Sequence, residues 1–206
     1  MTSFLVTNRS KDSYEQRINT EPTGTQRCRR YSVKNFEAFV SETYDGRSTD
    51  DVVQELFVCK ANKGAEFEDT LYGVLQEWIN WNERKGRNPN TIRVTFSNLR
   101  KYLFHHGIKT DEQNIKEYLR FEKKTIEYRH PLSQTEYQRI IDGLARHPLV
   151  QALFLALGSS GLRIGELLNL KLTDLDFNRM LLKVVQGKNK KDRYIPIAKA
   201  IMPMLT

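Results

Sequence analysis

Cysteine is nearly absent: Cys28 and Cys59 are the only two, and no CxxC pair occurs. That spacing suits neither a zinc cluster nor a disulfide scaffold and points to two ordinary thiols in a reducing compartment. Long apolar runs are missing as well. The longest lies around Leu149–Leu157, and Gln151 interrupts it. A membrane span needs ~18 consecutive apolar residues, so none is expected. The opening stretch MTSFLVTNRSKDSYEQ has no basic segment followed by a long apolar one, so no signal peptide is expected. No GxxxxGK[ST] loop is present to cradle a nucleoside triphosphate. His105 and His106 are adjacent. On a helix they point about 100° apart and do not grip one ion together. No metal, nucleotide or other cofactor is therefore expected.

What is present is a globular composition, 39% hydrophobic and 28% charged over 206 residues, enough to bury a core without staples. Thirty-three basic against 25 acidic side chains give a net charge of +8, and the excess is uneven. Residues 51–83 carry two basic and seven acidic side chains, whereas residues 84–130 carry twelve and five. From Arg84 to Lys109 there are seven basic residues and no acidic one. A solvated face normally mixes its signs, so Arg84, Lys85, Arg87, Arg93, Arg100 and Lys101 read as a footprint for a polyanion, nucleic acid first.

Hydrophobic spacing is helical over most of the chain. Val33, Phe36 and Val40, then Val52, Val53, Leu56 and Phe57, recur at three and four, with Asp50 a candidate N-cap for the second group. Leu71, Val74, Leu75, Trp78 and Ile79 form a wide stripe for a core. After a Gly/Pro/Asn loop, a fourth helix from about Thr91 buries Ile92, Phe96, Leu99 and Leu103. It turns Arg93 and Arg100, seven apart, to one face, and Gly107 ends it. Asp111 caps a fifth. Residues 1–35 are polar with few apolar anchors and read as a flexible arm. Ser133 and Glu136 form a capping box. Leu149–Leu157, apolar on nearly all sides, reads as a fully buried helix, and Gly158–Gly161 as a turn. Met180–Val185 and Asp192–Ile197 read as a β-hairpin, with Pro196 at a strand end or edge.

At Leu157-Gly-Ser-Ser-Gly-Leu-Arg-Ile-Gly-Glu-Leu-Leu-Asn-Leu170 the sequence resembles the first catalytic motif of the tyrosine recombinase (phage integrase) family, Thr-Gly-Leu-Arg-x-x-Glu-Leu-x-x-Leu, with Ser160 in place of Thr. Asp174, Asp176 and the hairpin Val184–Ile197 are similar to the Gly-Lys-x-x-Lys-x-Arg-x-x-Pro hairpin that follows it, and the helix at Asn90–Leu99 looks like part of the family's core-binding domain. The resemblance covers about residues 35–206. It implies a mainly α, α+β fold: an N-terminal arm at 1–35, a helical DNA-binding domain at 36–125, a linker at 126–131, and the first portion of a catalytic domain at 132–206.

The resemblance makes Arg163 and Lys188 the catalytic candidates. Arg163 would hold the non-bridging oxygens of a scissile phosphate, a task suited to a rigid donor fork at a helix start. Lys188, just after Gly187, would be the general acid that protonates the 5′-hydroxyl. Lys190, Lys191 and Arg193 would contact DNA backbone, and Arg193 could instead pack on the hairpin. The family also uses a His-x-x-Arg, a His or Trp and a nucleophilic Tyr downstream. Here all four histidines precede Arg163, and Tyr194, the last tyrosine, falls within the hairpin, where packing is its expected role. The expectation is a chain truncated before its nucleophile. It belongs to a family that breaks and rejoins DNA through a 3′-phosphotyrosyl link as a tetramer, in the cytoplasm on the nucleoid. The alternatives are a catalytically silent DNA-binding protein and a helical DNA-binding regulator.

Overall fold

The computed structural model describes residues 9–62, 64–123, 128, 130–185 and 192–197. The chain divides into two compact units between residues 127 and 128.

The first unit is all helical: α1 (Lys11–Asn19), α2 (Thr23–Thr43), α3 (Thr49–Asn62), α4 (Gly64–Arg84), α5 (Pro89–His105) and α6 (Glu112–Tyr118). Local chemistry sets its boundaries. Ser10 and Ser13 close a reciprocal capping box at α1. Asn88 accepts from the Asn90 N–H ahead of Pro89, which sits in the first turn of α5 where its missing N–H costs nothing. Asp111 accepts from two N–H groups at α6. Gly107, at φ +84, turns the chain out of α5, as its position suggested. The start of α3 belongs to Ser48, which exchanges hydrogen bonds with Asp51, and not to Asp50.

The periodic stripes meet in one core, with Phe36, Phe39, Leu71, Leu75, Trp78, Ile79, Ile92, Leu99, Tyr102 and Leu103 fully or nearly fully buried. Each such large side chain contributes about 1.5–3 kcal/mol by leaving water. A polar chain runs through it: Trp78 Nε1 donates to Asn35 Oδ1 at 2.8 Å, Asn35 Nδ2 donates to Asn82 Oδ1 at 3.0 Å, and Asn82 Nδ2 donates to the Trp78 carbonyl at 2.8 Å. Buried amides satisfied in this way specify register between α2 and α4 as well as stabilising it.

The flexible arm expected at 1–35 is corrected. Residues 11–19 and 23–43 are helices, and Tyr14 and Ile18, one turn apart on α1, are buried in the core. A nine-residue helix is marginal alone. Burial of two large side chains holds it, and two apolar residues in a polar stretch are too few to show as a pattern.

The second unit contains α7 (Gln134–Gly143), α8 (Pro148–Ser160), α9 (Ile164–Leu168), a 3-10 turn (Leu172–Asp174) and strands β1 (Leu175–Asp176), β2 (Leu181–Val184) and β3 (Arg193–Pro196). The Ser133–Glu136 capping box opens α7. The strands form an antiparallel sheet in the order β1-β2-β3, with Leu182 opposite Ile195 and Val184 opposite Arg193. Pro196 therefore lies on an edge strand, where its missing N–H is tolerated. Leu162, Leu182, Val184 and Ile197 make the small core.

Two expectations fail here. Residues 158–160 continue α8 instead of turning; the chain reverses only at Gly161, in the left-handed region at φ +63. And α8 is not buried on all sides. Ala156 is its one buried residue, while Leu149, Val150 and Phe154 are exposed.

Candidate active site and nucleic-acid interface

Gly161 and Leu162 aim Arg163. Gly161 takes the left-handed turn that ends α8, and Leu162, buried in the small core, anchors the next residue. Arg163 is then the N-cap of α9. Its backbone N–H donates to Glu166 Oε2 at 3.0 Å and its Nη1 to Glu166 Oε1 at 3.0 Å. From the edge strand, Arg193 donates Nη1 and Nη2 to the same carboxylate at 3.1 and 2.7 Å. Glu166 is thus shared by two guanidiniums and a backbone N–H.

The electrostatics follow from that sharing. The Arg193 hydrogen bonds, then those from Arg163, hold the Glu166 carboxyl at about 2. The same pair raises the Arg193 guanidinium. The carboxylate is nearly covered, with 11% of its side chain exposed, whereas the Arg163 side chain is 61% exposed. Nε and Nη2 of Arg163 have no partner among the described residues. The arrangement therefore presents an oriented cation to an incoming anion.

Residues 130–206 match the profile of the phage integrase family. Tyrosine recombinase XerA of Thermococcus onnurineus is 29% identical over 165 residues, covering 63% of this chain and 58% of that protein. Tyrosine recombinase XerA of Pyrococcus furiosus is 29% identical over 169 residues, covering 65% and 58%. Over residues 130–206 the chain is similar to the phage integrase family, and over a longer stretch to tyrosine recombinases. It spans 58% of the length of these two relatives. Among solved structures, the Tn1549 transposon integrase in complex with a circular intermediate DNA aligns at a TM-score of 0.53 with 14% identity, over 84% of this chain and 63% of that one. That likeness is one of fold.

In this chain the expected site residues divide. Arg163 stands on the surface at a helix start, as its motif suggested. Arg193, expected on DNA backbone or packed on the hairpin, spends both terminal nitrogens on Glu166. Tyr194, expected to pack, is 65% exposed, because strand alternation turns it away from Ile195 and the small core. Lys188, Lys190 and Lys191 lie outside the described residues.

The basic stretch of the first unit divides too. Arg93 donates Nη2 to the Glu122 carbonyl at 2.8 Å and lies over Phe121. Arg87 bonds Asn82 and lies 4.9 Å from the Trp81 ring. Lys85 pairs with Glu42 at 2.9 Å. Arg100 donates Nε to Thr110 Oγ1 at 2.8 Å. These four help to hold the bundle. Arg84, Lys101 and Lys109 are exposed and have no partner among the described residues. Net charge counted along a sequence cannot separate the two groups, because the partners are carbonyls and rings from distant segments. His105 bonds Ser13 at 2.8 Å, and the buried His106 packs edge-on against Tyr102. Among the described residues no helix is long and apolar enough to cross a membrane.

Proposed function

We propose that this chain is a DNA-binding part of a site-specific recombinase, gripping duplex backbone with unpaired cations of the helical unit and holding the scissile phosphate with Arg163. The observation that carries this reading is the Arg163–Glu166–Arg193 cluster. A surface arginine fixed through one nitrogen by a shared, nearly covered carboxylate keeps its remaining donors for an anion, which is what a developing phosphorane charge requires. The Tn1549 integrase, whose structure is a complex with DNA, and the two XerA relatives support DNA as the partner. Family resemblance assigns Lys188 the general-acid role, with Lys190 and Lys191 beside it, and a tetramer on paired duplexes as the working assembly. The division at residues 127/128 supports a helical DNA-binding domain ahead of a catalytic portion.

The test is binding of a labelled duplex by the 206-residue polypeptide across a salt series. Wild type should show log K falling with log salt, by about 0.9 per phosphate contact. Arg163→Ala should lower that slope by about one while leaving the unfolding transition in place. A wild-type slope near zero overturns the reading, and an unchanged slope in Arg163→Ala removes Arg163 from the phosphate.

A further inference from the structure

Helix α1 does more than complete the bundle. Where it meets α2 and α5 there is a cavity of about 360 Å³ whose wall carries Arg17, Arg29, Arg100, Lys101 and Lys109, and no carboxylate. Five cations converge there from α1, α2, α5 and the segment after it. Arg17, Lys101 and Lys109 have no partner among the described residues. Of the two neighbouring carboxylates, Glu21 pairs with one of the five cations, Arg29, at 2.8 Å, and Glu15 is engaged outside the wall on Arg30 at 3.0 Å, so four of the five cations have no carboxylate partner among the described residues. Concentrated like charge is unfavourable until a counter-charge arrives.

A second, independent feature points the same way. Arg29 is 9% exposed; its Nη1 holds Glu21, and its buried Nε has no partner among the described residues. Tyr14, 1% exposed on the same wall, has a hydroxyl with no partner among them either. Buried donors without acceptors are uncommon, and each needs an explanation. Two of them lining a cationic cavity are complementary to a group rich in acceptor oxygens. An adjoining cavity of about 460 Å³ shares Arg17, Phe104 and Lys109 and adds Arg9 and Lys60, so the positive surface continues past one phosphate. Phe104, 56% exposed between the two, offers an apolar ring for a sugar or base face.

We infer that the cleft between α1, α2 and α5 is a phosphate-binding site that takes backbone phosphates of a nucleic acid. The inference rests on the DNA-binding reading above. It adds a site outside residues 130–206, the segment matched by the family profile, in which helix α1 supplies Arg17 and Tyr14. It also gives the polar N-terminal region a contact role in place of that of a flexible arm.

The test uses the 206-residue chain, a labelled duplex and, separately, inorganic phosphate. Arg17→Ala, Lys101→Ala and Lys109→Ala are combined, all three being exposed and unpaired, against a control combining Lys34→Ala, Lys116→Ala and Lys123→Ala. The cleft variant should lose about two to three from the salt slope, and the control should lose about one at most. Tyr14→Phe keeps the ring and removes only the hydroxyl; it should weaken duplex binding about tenfold, the effect of one hydrogen bond to a charged group. If wild type binds duplex but the cleft variant matches the control, the cleft inference is overturned and the broader reading survives. If inorganic phosphate binding is lost in the cleft variant while the duplex slope is unchanged, the ligand is a free anion and the backbone assignment is overturned. If wild type binds no duplex at all, the broader reading fails with it.

Discussion

Arg193 reaches back 27 residues to place both terminal nitrogens on Glu166, at 3.1 and 2.7 Å. Through that carboxylate it acts on Arg163, which it does not touch in any contact described. The edge strand of the sheet is thereby coupled through Glu166 to the exposed Arg163, so a change on the hairpin should be felt there.

The first prediction concerns acid. Glu166 sits at about 2, below its ordinary 4.5. A lowered carboxylate contributes stability that is fully present above 4.5 and is lost as pH falls from there towards 2. Following the Glu166 carboxyl carbon by NMR should show a midpoint near 2 in wild type. Arg193→Ala should move it up towards 4.5. A wild-type midpoint at 4.5 would mean the cluster does not form in solution.

Helix α1 should be integral to the first unit. Ile18 is completely buried, so Ile18→Ala should cost about 2–5 kcal/mol. Trp78 and Trp81 are the only tryptophans, and both lie in α4, so denaturant unfolding read by tryptophan fluorescence reports this unit. An unchanged midpoint would return residues 11–19 to the status of an arm.

The first unit should also weaken in mild acid. Burial lowers His105, and burial together with the neighbouring His105 lowers His106, both from 6.5. A base lowered by folding binds its proton more readily when unfolded, so stability rises with pH up to 6.5 and declines below it. The fluorescence-detected midpoint should fall between pH 7.5 and 5.5. Replacing both histidines with His105→Gln and His106→Leu should flatten that dependence, and a wild-type midpoint constant over this range contradicts the assignment.

Arg93 and Arg84 should separate by assay. Arg93→Ala removes a donor to the Glu122 carbonyl and a cation from the Phe121 ring, so it should lower the unfolding midpoint. Arg84, exposed and unpaired among the described residues, should leave that midpoint alone when changed to Ala and reduce the DNA salt slope by about one. The reverse pattern would show that structure and footprint have been interchanged.

Much of the molecule is written in local chemistry. The caps at Asn88, Asp111 and Ser133, the glycine exit at Gly107, the stripe from Leu71 to Ile79 and the strand alternation of the hairpin each depend on residues within one or two turns, so the sequence alone determines them. The motif around Arg163 is local in the same sense, and it carries the family resemblance. Only the tertiary structure decided the rest. Whether Tyr14 and Ile18 find a core depends on α2 and α5, and whether Arg93 is a DNA contact or a brace depends on Phe121 and the Glu122 carbonyl. That Arg193 serves Glu166 depends on a sheet pairing β3 to β2, and the cationic cleft exists only because α1 carries Arg17 to Lys101 and Lys109. Side-chain periodicity records which face of an element is apolar; it does not record which distant partner that face, or a charge beside it, will meet.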